Sequence, residues 1–405
     1  MALFFTGMVG LVYMVGIDPQ IVIEVLYRSM DKFALIVVMF FVLCGNIMTT
    51  GSIVEKLIKT ANVLVGFLPG GLAMAGVLAC GFFGAISGST VATVVAIGGF
   101  MIPALIENKY DERFSVGLMT TAPILGVIIP PSIAMILYAM VSNDQLEALF
   151  LTGFIPGLLI MLAMSIYAYF FCRKMGMTRR ERPSFSEVIA VLRESAWALF
   201  LPVLIFGGIY SGLFTANEAA VVACFYAFFV EIFIHKDMKI GSVKRVIVSS
   251  AITSATLLVI VAGASVFGEY LTFEQIPGKI ASVVVENISS PWVFLLSVNV
   301  LLLIIGMFMD IISATLILTP IFLPLLSKFG IDTMHFGLLM TINLGIGYCT
   351  PPLGVSLYIT GATVDRNIVY VSKAVLPFLL IQVAILLLLT FWPGLVFFLP
   401  RLVYG

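Results

Sequence analysis

Charge is the first thing this chain lacks. Only 10% of its 405 residues are Asp, Glu, Lys or Arg, against about 25% in soluble globular domains. The 21 basic and 21 acidic residues cancel, so no excess of positive charge is available to bind nucleic acid. Histidine is nearly absent: His235 and His335 stand far apart, without carboxylates read at ligand spacing, and no metal centre is expected at either. The five cysteines (Cys44, Cys80, Cys172, Cys224, Cys349) are scattered through apolar runs with no CxxC pair. They suggest neither a disulfide framework nor a zinc site. The apolar N-terminus has no basic segment and no small-residue cleavage site, so a cleavable signal is not expected. No HExxH motif, Ser/His dyad or Asp pair supports hydrolysis in the membrane.

What remains is hydrophobic, 61% of the residues, and the chain reads as an all-α polytopic membrane protein. A spanning helix needs about 20 mostly apolar residues. Spans are expected near 1–17 (short for a crossing), 33–54, 62–79, 114–141, 149–172, 197–213, 219–235, 246–268, 335–360 and 373–400. Two further stretches, 80–106 and 292–327, are apolar but interrupted by Gly, Ser, Asp and Pro, and are expected to enter the membrane and return as re-entrant hairpins. The segment 271–290 carries Glu274, Lys279 and Glu286 and should lie along the interface. Basic clusters at Arg173, Lys174, Arg179, Arg180, Arg182 and at Lys236, Lys239, Lys244, Arg245 put their two loops on the cytoplasmic side.

A repeat organises these spans. At one gapless offset of 221 residues, Pro103 falls on Pro324, Asp111 on Asp332, Met119 on Met340, Thr120 on Thr341, Gly126 on Gly347, Pro130 on Pro351 and Ser89 on Asp310. Five crossings are counted between the hairpins, an odd number, so the repeats should be inverted. Inverted repeats with interrupted segments at matching places point to a transporter's binding site. Gly84–Thr90 and Gly306–Asp310 are the expected hairpin tips. Ile129-Pro130-Pro131 and Thr350-Pro351-Pro352 are the expected breaks in the facing helices. Each Pro-Pro pair frees carbonyls, which with Ser and Thr hydroxyls suit an alkali cation. Half-helix N-termini suit an anion. Ser87, Ser89 and Thr90 would also serve as small packing residues, and Asp310, alone in an apolar stretch, as a helix cap or a membrane-edge carboxylate. Glu218 reads as an N-terminal cap. Thr120, Thr121 and Ser132 either line the cavity or back-bond within their helices. Asp365 and Arg366 read as a solvated loop. A channel would require a ring of charges or a repeated carbonyl filter, and none is visible.

At Leu68-Pro69-Gly70-Gly71, Gly84-Ala85-Ile86-Ser87-Gly88-Ser89, Ile128-Ile129-Pro130-Pro131-Ser132, Gly212-Leu213-Phe214-Thr215 with Glu218-Ala219-Ala220, Gly306-Met307-Phe308-Met309-Asp310 and Thr350-Pro351-Pro352-Leu353-Gly354, the chain resembles the large membrane subunit of tripartite ATP-independent periplasmic (TRAP) transporters, of the dicarboxylate and sialic acid type. The resemblance covers nearly the whole chain. It departs from the family at the short first helix and at Ala216-Asn217, where the family has Pro-Thr. It implies an elevator-type transporter in the bacterial inner membrane, importing a small organic anion with Na+. Its partners would be a small four-helix membrane subunit and a periplasmic solute-binding protein; an organic-anion transporter coupled to another ion or to protons, without a binding protein, is the alternative. The sodium ligands it implies are Ser87, Gly88, Ser89, Gly306, Asp310, Thr350, Pro351 and Gly354. An adjacent anion site would use Ser87, Thr90, Pro130, Ser132, Asp310 and Pro352. The expected organisation is 1–79 scaffold, 80–172 first transport repeat, 173–290 central scaffold, 291–372 second repeat and 373–405 C-terminal helix.

Overall fold

A computed structural model describes residues 2–177 and 181–405, so Arg179 and Arg180 of the first basic cluster lie outside the described residues. Every regular element among the described residues is helical. Each repeat is a hairpin followed by a broken helix.

Hairpin 1 consists of Gly71–Ser87 and Thr90–Glu107. The 17-residue first arm spans about 25 Å at 1.5 Å per residue, short of the roughly 30 Å hydrocarbon core. It ends because Gly88 takes a left-handed φ of 62°, its N–H closing on Gly84 O at 3.1 Å. Ser89 is then extended and caps the second arm, its Oγ accepting from Ala92 N. Hairpin 2 consists of Pro291–Gly306 and Ile311–Phe329. Its 16-residue first arm is also too short to cross, and Asp310 stands where Ser89 does, its Oδ2 accepting from Ser313 N at 2.8 Å.

The two broken helices follow the same plan. Asp111 caps Glu112–Thr121 and Asp332 caps Thr333–Gly347, as the offset predicts. The first helix breaks at Ile129–Ser132 and resumes as Ile133–Ser142, with Ser132 as its cap. The second breaks over Tyr348–Gly354 and resumes as Val355–Val364. The Pro130-Pro131 and Pro351-Pro352 bonds are both cis.

The repeats interlock at the centre. Ile133–Ser142 of the first packs on Ile311–Phe329 of the second, and Val355–Val364 of the second packs on the second arm of hairpin 1. In Glu112–Ser142, 89% of the apolar window is buried within the protein, against 33% in Gly241–Phe273. The broken helices therefore form the core, and the 34-residue helix Ile240–Phe273 lies at the rim. After it, Ile276–Asn287 has 12 residues, about 18 Å, and cannot cross. Between the hairpins Glu112–Ser142, Leu146–Lys174, Ala216–Ile234 and Gly241–Phe273 are long enough to cross, and the odd count expected of inverted repeats takes Phe185–Glu194 with Ala196–Tyr210, bent by 64°, as the fifth crossing.

Three boundaries differ from the sequence reading. The stretch 62–79 is not one span: Ile53–Val65 ends, Gly70 turns the chain at φ 75°, and the hairpin arm begins at Gly71 rather than 80. The C-terminal span stops at Phe391, because Trp392 breaks the helix before Pro393. Two amphipathic helices, Pro19–Met30 and Phe185–Glu194, lie where no element was expected.

Candidate functional site

The hairpin tips rest on the helix breaks through glycines. A Cβ on Gly84 would lie 2.8 Å from Gly126 Cα, and one on Gly88 would lie 2.5 Å from Pro131 O. Gly88 O also accepts from Ile133 N at 3.3 Å, so tip and break share a backbone bond. In the second repeat, Gly347 meets Gly306 so closely that a Cβ would lie 2.5 Å from its backbone. Bare backbone meets bare backbone at both crossings, which accounts for glycine at 84, 126, 306 and 347.

The predicted site residues fall into two nests, one per repeat, rather than one cluster. In the first, Ser87, Gly88, Thr90, Pro130 and Ser132 are buried and Ser89 is half-buried. Ser87 Oγ lies 3.5 Å from Thr93 Oγ1, which donates to Ser89 O at 2.8 Å. Thr90 Oγ1 is buried with no hydrogen-bond partner. In the second, Gly306 and Gly354 are buried, Asp310, Thr350 and Pro351 half-buried, and Pro352 exposed. Thr350 Oγ1 donates back to Ile346 O at 2.8 Å, and Gly354 sits so tightly that a Cβ would lie 2.6 Å from Tyr348 O and 2.8 Å from Thr350 O. Thr120 and Thr121 also back-bond, to Val116 O and Gly117 O, and neither lines the cavity described below. Glu218 forms a capping box with Thr215. Asp365 and Arg366 are exposed, and Arg366 pairs with Glu112 at 2.7 Å.

The oxygens present suit a hard cation. Carbonyls freed at the breaks, hydroxyls and one carboxylate are the groups that coordinate Na+ beside discontinuous helices, and the Thr90 hydroxyl is a buried polar atom in want of a partner.

A cavity of about 410 Å3 opens against the first nest. Ser87 through Val91 form one wall, and Asn46, Thr49 and Thr253 of the helices Ala34–Thr50 and Ile240–Phe273 line the other; Ile311, Ile312 and Tyr348 bring the second repeat to its edge. No charged side chain lines it among the described residues. An anion entering it would meet hydroxyls and the N-termini of half-helices capped by Ser89 and Asp310.

Sequence reasoning missed several of these groups. Tyr348 is buried, and its hydroxyl accepts from Ile311 N at 3.1 Å, joining the second break to hairpin 2; the available signal was a phenol directly before Cys349-Thr350-Pro351. Asn46, which donates to Ser250 Oγ at 2.8 Å, was an isolated amide in an apolar run. His235 needs a correction: Glu231 lies one helical turn before it and Asp237 two residues after, and their ligand atoms all lie within 4.8 Å of one another. The i, i+4 spacing was the overlooked signal.

Comparison with known proteins agrees with this architecture. Residues 1–395 match the model of the family described as "Tripartite ATP-independent periplasmic transporter, DctM component". The C4-dicarboxylate TRAP transporter large permease protein DctM of Pseudomonas aeruginosa is 41% identical over 376 residues, 93% of this chain and 88% of that protein. The sialic acid TRAP transporter large permease protein SiaM of Vibrio cholerae is 35% identical over 377 residues, 93% of this chain and 88% of that one. Among solved structures, the Alcanivorax borkumensis YdaH transporter shares the fold with a TM-score of 0.67 at 14% identity, covering 93% of this chain and 88% of its own. With a family model spanning nearly its whole length, the chain belongs to the DctM component family of tripartite ATP-independent periplasmic transporters, multi-pass proteins of the bacterial inner membrane that transport solutes and are not enzymes.

Proposed function

We propose that this chain is the large permease subunit of a sodium-coupled importer of a small organic anion, working by elevator-type alternating access. The substrate class, C4-dicarboxylates, sialic acid or a related acid, follows the relatives' names, and delivery by a periplasmic binding protein with a small membrane subunit follows the family's tripartite organisation. The observation that carries the reading is the first nest lining a cavity that has no basic side chain, with Ile311, Ile312 and Tyr348 of the second repeat at its edge. Without Arg or Lys, the anion's charge must be met by helix N-termini, hydroxyls and a co-bound cation.

Sodium, when bound, would supply positive charge beside the anion. Ser87, Gly88 and Ser89 would hold it in the first nest, and Gly306, Asp310, Thr350, Pro351 and Gly354 in the second. The chain's own part is to hold both tips in shape: Gly88 N–H closes the first helix, and Ser89 and Asp310 fix the starts of the second arms. The caps would orient the half-helix N-termini toward a carboxylate bound beside Ser87 and Thr90, the two predicted anion-site residues that line the cavity. Across the cavity, Phe41 and Leu257 offer apolar surface past which the hairpin domain would move.

The test is uptake into proteoliposomes containing the full transporter with its binding protein. Uptake should follow an inward sodium gradient and collapse when choline replaces sodium at constant pH. Uptake that ignores sodium and follows a proton gradient would refute the coupling; uptake that persists without the binding protein would refute the delivery.

A further inference from the structure

A second group of potential ligands lies away from the cavity, where the helix Ala216–Phe229 runs on through Ile234 and meets the corner before Ile53–Val65. Glu231 is fully buried, and its two oxygens accept from Ser52 N at 3.1 Å and Ile53 N at 2.9 Å, the orphan donors of the helix that starts there. Gly51 allows this approach, since a Cβ there would lie 2.0 Å from the carboxylate carbon. One turn on, the side chain of His235 is only 4% exposed. Its Nδ1 sits 3.2 Å from Ser52 Oγ and 3.6 Å from Glu231 Oε2, while Nε2 is buried with no partner. Lys236 then reverses the chain at φ 60°, and Asp237 N and Met238 N both donate to Glu231 O. That fold-back returns the exposed Asp237 carboxylate to the other two groups.

We propose that Glu231, His235 and Asp237 form a divalent transition-metal site of the zinc class. Two carboxylates and an imidazole are a zinc donor set that leaves a fourth position for water. An imidazole nitrogen disfavours calcium and magnesium, which take oxygen. The ligand atoms already lie within 4.8 Å of one another, and ligands of a tetrahedral zinc stand roughly 3.3 Å apart, so closure needs shifts of about 1–1.5 Å. The exposed Asp237 can supply them. A ligating histidine gives one nitrogen to the ion and uses the other in an orienting hydrogen bond, the part open to Ser52 Oγ here. A 2+ ion would balance the two carboxylates and pin the Gly51-Ser52 corner, which ends the cavity-lining helix Ala34–Thr50.

The probe is zinc alone, added to tag-free, chelator-stripped full-length protein in detergent and read by elemental analysis, titration calorimetry and melting temperature. Cobalt serves as a spectroscopic substitute. Wild type should retain one ion per chain, melt at a higher temperature with zinc, and give the visible absorption of tetrahedral cobalt. His235→Ala should lose the bound ion, the stabilisation and the cobalt band. Asp237→Asn, an exposed change that leaves the fold intact, should weaken binding by about tenfold or more. Failure of wild type to retain zinc would overturn the proposal, as would binding unchanged in Asp237→Asn and His235→Ala.

Discussion

The two repeats share a plan and differ in finish. The first nest is closed: its tip is a two-residue reversal at Gly88 and Ser89, and every residue from Ile129 to Ser132 is buried. The second is looser, with a four-residue tip, Phe308 59% exposed, and a seven-residue break that leaves Pro352 and Leu353 in the open. The capping groups differ as well, a neutral hydroxyl at Ser89 and a carboxylate at Asp310. Duplicated backbone has thus been kept where bare stretches of helix must cross, at Gly84 on Gly126 and Gly306 on Gly347, while charge and exposure have diverged around it. Under the proposed sodium coupling, the difference would make the two nests hold a cation with unequal strength.

Substitutions can break or sharpen that comparison. The largest effect is expected from Gly88→Ala, which combines a left-handed φ with a Cβ 2.5 Å from Pro131 O. It should destabilise by more than about 2 kcal/mol and abolish uptake. Gly306→Ala, whose Cβ would lie 3.1 Å from Gly347 Cα, should be milder; melting temperatures and uptake rates in that order support a tighter first tip, and the reverse order removes it. Next, Asp310→Asn should cut uptake about tenfold while leaving the melting temperature near wild type, because an amide oxygen can still cap Ile311–Phe329. Ser89→Ala should lose less rate but shift the sodium response. Equal effects would mean that the carboxylate has no special part.

Thr90→Val is a finer probe. Removing an unpartnered buried hydroxyl should raise stability by up to about 1 kcal/mol, yet weaken substrate or sodium dependence if Thr90 faces the transported species. Thr315→Val, which removes another unpartnered hydroxyl away from the cavity, should stabilise without that penalty on uptake. The smallest effect belongs to Glu112→Gln at the start of the first broken helix, where the partner Arg366 is 50% exposed. An exposed pair of this kind is worth about 0–1 kcal/mol, so uptake and melting should barely change.

Much of the architecture was legible because membrane backbone has few options. Interrupted apolar runs repeated at one offset had to be breaks satisfied by protein, and Asp111 and Asp332 do start equivalent helices. The start of hairpin 1 was hidden because Gly66–Gly70 turns the chain inside a run of uniform hydropathy. Pro19–Met30 and Phe185–Glu194 escaped because only one face of each is apolar, which a spanning window averages away. At the site, the tips could be read from Gly and Pro. The scaffold wall of Asn46, Thr49 and Thr253, and the Tyr348 link across the second repeat, depend on tertiary approach, and no local pattern encodes that.

The most direct test of the two-nest account is a pair of high-resolution maps of the full transporter, one in sodium and one in N-methylglucamine. The account predicts density for a cation at both hairpin tips in sodium, weaker or absent in the other map, coordinated by main-chain and hydroxyl oxygens around Ser89 and around Thr350. Identical maps with no ion at either tip, in a protein whose uptake still requires sodium, would contradict it.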